Sequence, residues 1–368
     1  MTPVKIGIIG CGNISGIYFT NGTKKFNRIV EIAACADLDL SRAQAKAEEF
    51  GIDRAITPEQ LLADPDIEII VNLTIPNAHY SICKAALEGG KHVYVEKPLA
   101  ISREEGKELV ELAQAKKLRL GAAPDTFLGG GIQTCRKLID DGWIGEPVAA
   151  TAFMMGRGHE SWHPAPEFYY KAGGGPMFDM GPYYLTALTV LIGPIQRITG
   201  SARATFSERT ITSQPLHGTK ISVDIPTHIA GVMDFANGAV GTIITSFDVF
   251  GFPFPNIVIF GSEGTLQVPD PNSFGGPVLY KGRRDKEYAP IPLTHGYSDN
   301  SRCLGVADIA SAIQTGRGHR ASGELGLHVL EAMHAFHDAS DAGIHYTMKT
   351  TTERPAALPA SLRDGELD

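Results

Sequence analysis

From Val4 onward, short apolar runs alternate with amphipathic stretches of helix length as far as about residue 125. That alternation predicts a parallel sheet wrapped by helices. The apolar runs 4–9, 29–36, 67–73, 91–95 and 118–122 predict its strands. Helix starts are written between them: Ser41 with Gln44 as a capping box, Thr57 with Pro58 at the first helical position and Gln60 at the third, and Ser102 with Glu105 as a further box. Asn77 starts another helix, which Gly89 and Gly90 end.

Beyond Asp125 the pattern changes. Residues 126–141 predict a helix, and β-rich stretches follow at 148–155, 198–206, 227–235, 239–248, 256–260 and 278–280. Asn237-Gly238 between two of them is a hairpin signal. Helices are predicted around 179–192, 301–315 and 324–340. The expected architecture is therefore α/β over residues 1–124, an α+β region with one large open, mostly antiparallel sheet over 125–345, and a C-terminal arm over 346–368.

Composition narrows what such a chain does. Of 368 residues, 43% are hydrophobic and 20% charged, so disorder and fibrous structure are excluded. A net charge of -8 does not suit a phosphate-backbone binder, which gains from clustered cations, so no nucleic-acid partner is expected. The uncharged run from Met180 to Ile195 is too short for a bilayer and is broken by Pro182 and Pro194, so no membrane partner is expected either. Met1-Thr2-Pro3-Val4-Lys5 leads straight into a strand pattern instead of a leader, which makes the cytoplasm the expected location. Cys11, Cys35, Cys83, Cys135 and Cys303 form no CxxC pair, so small buried side chains are expected, not a disulfide framework or a zinc site.

Chemistry enters at the first strand. Gly7-Ile8-Ile9-Gly10-Cys11-Gly12-Asn13-Ile14-Ser15-Gly16 follows a strand and opens a helix, the context of a Rossmann dinucleotide fingerprint. Gly10 permits the tight turn, Gly12 lets the backbone approach a pyrophosphate, and Asn13 and Ile14 lie where the helix N-terminus offers free N–H groups. Ser15 stands where a third Gly or Ala is usual. Asp37, at the end of the second strand, has the carboxylate that accepts from ribose hydroxyls and repels a 2′-phosphate, which favours NAD. Arg42 keeps NADP open, because a guanidinium pairs with phosphate.

Two stretches carry a family resemblance: Asn72-Leu73-Thr74-Ile75-Pro76-Asn77-Ala78-His79, and Gly90-Lys91-His92-Val93-Tyr94-Val95-Glu96-Lys97-Pro98-Leu99. The chain resembles the Gfo/Idh/MocA oxidoreductases, relatives of glucose-fructose oxidoreductase and inositol dehydrogenase. The likeness continues through Gly173-Gly174-Gly175-Pro176-Met177-Phe178-Asp179-Met180-Gly181-Pro182-Tyr183 and on to the segment from His319 to His328, nearly the whole chain. It implies that Lys97 is the active-site lysine, that Pro98 holds the peptide beside the nicotinamide, and that Thr74, Pro76, Asn77, His79 and Glu96 belong to the cofactor cleft. Partial burial and a cationic nicotinamide are expected to lower the Lys97 pKa toward neutrality.

The resemblance also implies an Asp and, four residues on, an acid/base His. Here Asp179 is in place but Tyr183 occupies the second position. Residues i and i+4 share a helix face, so both reach one cleft. Nearby positive charge is expected to lower the Tyr183 pKa enough for proton relay; the alternatives for the base are Lys97 itself and His163. The stretch from Gly156 to Tyr170 concentrates aromatic and polar groups suited to a sugar ring, with Arg157, Trp162 and His163 as substrate contacts beside Lys97, Asp179 and Tyr183. Asp125 and His328 are weaker candidates. His159 and His163, in a Pro-rich loop, do not suggest a metal.

The expected function is an NAD-dependent dehydrogenase acting on a secondary alcohol of a sugar, cyclitol or glycoside, with ring C3 as one position. An NADP-dependent dihydrodiol-type or ketone reductase and a non-catalytic NAD-binding sensor are the alternatives. An open sheet with one uncovered face predicts a homodimer or homotetramer.

Overall fold

In the computed structural model, which describes residues 2–368, the first sheet has six parallel strands in the order β3-β2-β1-β4-β5-β6. They are β1 (Val4–Ile9), β2 (Val30–Ala36), β3 (Ala55–Ile56), β4 (Ile69–Asn72), β5 (His92–Val95) and β6 (Leu120–Ala122). Side chains alternate across such a sheet, and here both faces are covered: Ile69 and Val71 enter one core while Ile70, Val93 and Val95 enter the other. The helices between the strands are α1 (Ser15–Lys24), α2 (Leu40–Phe50), α3 (Pro58–Ala63), α4 (Pro76–Glu88) and α5 (Arg103–Lys116).

Capping boxes at Thr57/Gln60 and Ser102/Glu105 start α3 and α5 as read from the sequence. The box expected at Ser41/Gln44 is not used: Asp39, two residues earlier, caps α2 by accepting from the Ser41 N–H. α4 starts at Pro76, not Asn77, because a proline ring is preset for the first helical position.

The second sheet has nine strands. In chain order, α6 (Gly130–Asp140) precedes β7 (Pro147–Met155), then α7 (Gly175–Leu191), β8 (Ile195–Arg203), β9 (Glu208–Thr210), β10 (Lys220–Ser222), β11 (His228–Phe235) and β12 (Val240–Ser246). There follow β13 (Ile257–Gly261), β14 (Gly264–Val268), β15 (Val278–Gly282), β16 (Ala289–Ile291), α8 (Leu304–Thr315), α9 (Gly323–Ala342) and β17 (Tyr346–Thr347). The order is β16-β15-β14-β13-β7-β12-β11-β8-β17, antiparallel except where β7 and β12 run parallel; β9 and β10 form a separate two-stranded ribbon. Asn237-Gly238 makes the β11–β12 hairpin turn, with Gly238 at φ +88°.

The single helix expected over 126–141 is broken. Thr126–Leu128 is one 3-10 turn, and Gly129 interrupts it so tightly against Phe274 that an added Cβ would lie 2.4 Å from that residue's Cα. α7 begins earlier than expected, at Gly175, and runs through Pro182. α9 packs on β8 and also reaches α5 and β6, so the two sheets share a helix. The C-terminal arm is ordered: Asp368 pairs with Arg320 and the Leu358 N–H donates to Gln133. All five cysteines are buried.

Candidate active site

Strand order reverses between β1 and β4, and the crevice outside the carboxyl ends of such strands is where open α/β sheets bind ligands. Gly10 sits there at φ +103°, and an added Cβ would lie 2.7 Å from the Leu73 carbonyl group, so only glycine fits the turn. A Cβ on Gly12 would meet nothing within 4 Å, which leaves the backbone open to approach. No side chain caps α1, so its first-turn N–H groups near the exposed Asn13 and Ile14 can accept an anion. Ser15 is buried and donates to the Gly12 carbonyl at 2.7 Å, which fits it into the place of the usual Gly or Ala.

The Asp37 carboxylate closes this loop, accepting from the Cys11 N–H at 2.8 Å and the Asp39 N–H at 3.0 Å. On either side of the crevice Leu38 and Ile75 are exposed by 94% and 69%, apolar surface suited to a flat base. Sequence reasoning passed over both. Arg42 is exposed and faces Asp39 at 3.6 Å. The turn, the free helix end and the carboxylate together fit a dinucleotide.

At the β4 end, Thr74 Oγ1 donates to Asn72 Oδ1 at 2.7 Å, and Pro76 and Asn77 open α4 beside it. His79 corrects the expectation of a cofactor contact. It is fully buried, with Nδ1 2.7 Å from the Pro98 carbonyl and Nε2 3.0 Å from that of Thr74. It ties the Lys97-Pro98 segment to the β4 loop, and burial pushes its pKa down. Glu96 is likewise engaged, accepting from the Tyr18 hydroxyl at 2.8 Å and the Lys97 N–H at 3.0 Å.

Lys97 leaves the end of β5 and meets the second region. Its Nζ lies 2.8 Å from Asp179 Oδ1 and 2.7 Å from the Asp179 carbonyl, and 5.5 Å from the centre of the Tyr183 ring. Asp179 and Tyr183 are thus on one face of α7, as their spacing requires. The protein's own groups push two of these residues opposite to the expected direction. Burial pulls Lys97 down, but Asp179, Tyr183 and Glu96 outweigh it and hold the ammonium above the ordinary lysine range. For Tyr183, burial raises the phenol's pKa, and Lys97 and Arg302 do not reverse that, so it stays protonated. Asp179 is raised by burial but more strongly lowered by Lys97 and His159, and remains a carboxylate.

His159 is the residue that sequence reasoning missed. Its Nε2 lies 2.9 Å from Asp179 Oδ2, on the side of the carboxylate away from Lys97. The ring stands edge-on to Tyr169 at 3.9 Å between centroids and packs on Trp162 and Phe247. Its loop is anchored below by Arg209, which is buried, donates to the Arg157 carbonyl and pairs with Glu160 and Asp248. The one visible signal was Gly158, whose φ of +96° turns the chain before His159.

Other expectations sort by position. Trp162 is 61% exposed at the mouth of the loop. His163 faces Trp162, Phe168 and Tyr169, and its Nδ1 accepts from the Ala165 N–H, so it does not contact Asp179. Arg157 turns outward, its guanidinium 4.5 Å from the Phe250 ring centre and 5.4 Å from that of Phe206. Asp125 is no surface residue: it is buried, accepts from the Gly305 N–H at 2.9 Å, and burial raises its pKa to about 6. His328 is in the core, accepting from the Ile195 N–H at 3.0 Å. Arg302, also missed, neighbours the Tyr183 phenol.

Residues 4–123 match the family model described as an oxidoreductase family with an NAD-binding Rossmann fold, and residues 132–267 match the GFO/IDH/MocA C-terminal domain. An uncharacterised oxidoreductase of Schizosaccharomyces pombe is 30% identical over 210 residues, 55% of this chain and 56% of that protein. The chain thus spans little more than half the length of this curated relative. The 1,5-anhydro-D-fructose reductase of Ensifer adhaerens is 26% identical, over 72% of this chain and 82% of its own. A levoglucosan dehydrogenase solved with NADH superposes with a TM-score of 0.81 at 20% identity, covering 95% of this chain and 100% of that one, a likeness of fold.

Proposed function

The chain belongs to the GFO/IDH/MocA family of NAD-binding Rossmann-fold oxidoreductases, and from that premise we propose that it interconverts a secondary alcohol and a ketone on a sugar, cyclitol or glycoside ring. Bound NAD supplies the hydride acceptor. The observation that carries the reading is Lys97 held against Asp179 beside Tyr183, next to the dinucleotide crevice.

In this reading the substrate oxygen lies between Lys97 Nζ and the Tyr183 hydroxyl. Tyr183 keeps its proton and donates a hydrogen bond, which polarises the C–O bond. Lys97 exchanges the proton that the alcohol loses or the ketone gains, as general base in oxidation and general acid in reduction. Asp179 fixes the lysine. Trp162, Phe168 and Tyr169 present rings and edges to the C–H faces and hydroxyls of a cyclic polyol. The relative named as an anhydro-fructose reductase supports the substrate class.

The raised pKa of Lys97 supports a second reading of direction, in which ketone reduction is the faster sense because the lysine already carries the proton to be given. The test follows nicotinamide absorbance with NAD or NADP against glucosides, aldoses and inositols, and with NADH against their keto forms. Turnover of a ring polyol or ring ketone is expected; coenzyme binding with no turnover across both panels would leave a dinucleotide sensor.

The outward positions of the large sheet support a homo-oligomer. Ala149, Thr151 and Phe153 on β7 pair in register with Val240, Thr242 and Ile244 on β12, while Phe260 pairs with Ala149 from β13. This makes a band of apolar side chains with one threonine pair, and light scattering at micromolar concentration is expected to give a dimer or tetramer.

A further inference from the structure

A lysine whose ammonium is stabilised by a carboxylate is a poor base, so oxidation by the arrangement above needs a way to present Lys97 without its proton. The structure contains one. Asp179 is shared: Oδ1 faces Lys97 Nζ at 2.8 Å and Oδ2 faces His159 Nε2 at 2.9 Å. A proton on Lys97 with neutral His159, or a proton on His159 with neutral Lys97, gives the same net charge around the same carboxylate. The two arrangements carry the same charge and differ in which side of Asp179 holds the cation; the lysine side is favoured by about four units of ordinary affinity, so the second is the minor one.

We propose that His159 is a positioning residue which competes with Lys97 for Asp179, so that a cation on the imidazole side of the carboxylate eases release of the lysine's proton and lets the deprotonated lysine serve as the base. This rests on the reading that Lys97 exchanges a proton with the substrate oxygen. The balance is simple. Lys97 loses one proton to water and His159 gains one from water at Nδ1, keeping its Nε2–H on Asp179. The alcohol proton then passes to Nζ, and a bound nicotinamide would take the C–H electron pair as hydride, so that a C=O bond remains. Reduction runs the same steps backwards.

The surroundings of His159 suit this task. Asp179 is the carboxylate in contact with the ring, and Lys97 lies behind it. From its own loop come His163 and Tyr169, and the Tyr170 hydroxyl accepts from the His159 backbone N–H at 3.3 Å. Beyond β12, Phe247 packs on the ring while Asp248, like Glu160, is occupied by Arg209. The loop is thereby fixed with a single carboxylate directed at the imidazole.

Two measurements test the proposal. His159→Gln keeps a donor near Nε2 but cannot hold a proton. Wild-type log kcat for oxidation is expected to level off on the neutral side, whereas in the variant it climbs with a slope near one through neutral pH, and kcat at pH 7 falls by roughly 10- to 100-fold with KM little changed. The same plateau in the variant would overturn the proposal. The second measurement needs no turnover: NMR titration of the His159 ring without coenzyme. Lys97→Met is expected to raise the His159 midpoint by about one unit, because Asp179 then serves one base instead of two, and Asp179→Asn to lower it. A midpoint unmoved in both variants overturns the coupling. A coupled titration in a protein that turns over no substrate would instead refute the dehydrogenase reading and leave the coupling intact.

Discussion

Lys97 is held twice by one residue, its Nζ 2.8 Å from the side-chain oxygen of Asp179 and 2.7 Å from that residue's backbone carbonyl. The second contact depends on the fold of α7, so the lysine is placed by the helix as well as by the charge on it.

Asp179→Asn keeps the backbone contact but removes the charge. Turnover is expected to fall by about 100-fold, in line with misplaced catalytic groups, while NADH affinity measured by fluorescence stays close to wild type. Loss of the half of a mostly buried ion pair should also cost about 2 to 4 kcal/mol of stability in urea. Because the carboxyl is held below its ordinary range, that contribution is complete above the unfolded pKa and is lost only as pH falls through the depressed folded value. The gap between wild type and variant is therefore expected to persist from neutral pH to about pH 4 and to shrink below it.

Tyr183→Phe deletes a hydroxyl that stays protonated. One lost hydrogen bond to the reacting oxygen predicts roughly a tenfold fall in kcat. The shape of the pH–rate profile is expected to be unchanged, since the phenol does not titrate in the working range; a lost limb in that profile would return the acid/base role to the tyrosine.

Asp37 faces the glycine turn, where it would meet the adenosine ribose. Asp37→Ser is expected to weaken NADH binding by about tenfold and to strengthen NADPH binding by a similar factor, because the repelling carboxylate is gone. Fluorescence titration with both coenzymes reads the two changes together; equal affinities in wild type would already place the discrimination elsewhere.

Buried Asp125 is a carboxyl whose pKa is raised to about 6. The sign follows: it favours the folded state below the unfolded pKa, and that advantage is lost as pH rises through the folded value. At pH 7.5 the chain carries a strained buried charge, so Asp125→Asn is expected to gain about 1 to 3 kcal/mol there. The gain should vanish near pH 4, as thermal melts across that range would show.

Features that rest on neighbours in the chain were legible from sequence. Thr57 with Gln60, Ser102 with Glu105 and Asn237 with Gly238 each satisfy backbone groups within a few residues, and each appears as read. Asp39 displaced Ser41 as a cap because the two compete within one turn, and both the Ser41 N–H and its hydroxyl donate to the Asp39 carboxylate. The Gly129 break was hidden because its cause is Phe274, far along the chain. At the site, Lys97, Asp179 and Tyr183 were visible through motif and helix spacing. His159 was not, since what directs it is a buried guanidinium contributed by β9. The acidities of Lys97 and Tyr183 differ from expectation for a related reason: at Lys97 a coenzyme's charge was weighed and the facing Asp179 was not, and at Tyr183 neighbouring positive charge was weighed and burial was not.

The position of β7 has a consequence for how the chain is made. Its neighbours on both sides, β12 and β13, come much later in sequence, beginning at Val240 and Ile257. During synthesis β7 therefore waits with two open edges while α7 and four strands, β8 to β11, emerge, and unpaired edges are what recruit wrong partners. The strand at the centre of the finished sheet has no partner until Val240 is reached and no second one until Ile257, so truncations before Gly261 should yield aggregating fragments even though the first sheet is already complete.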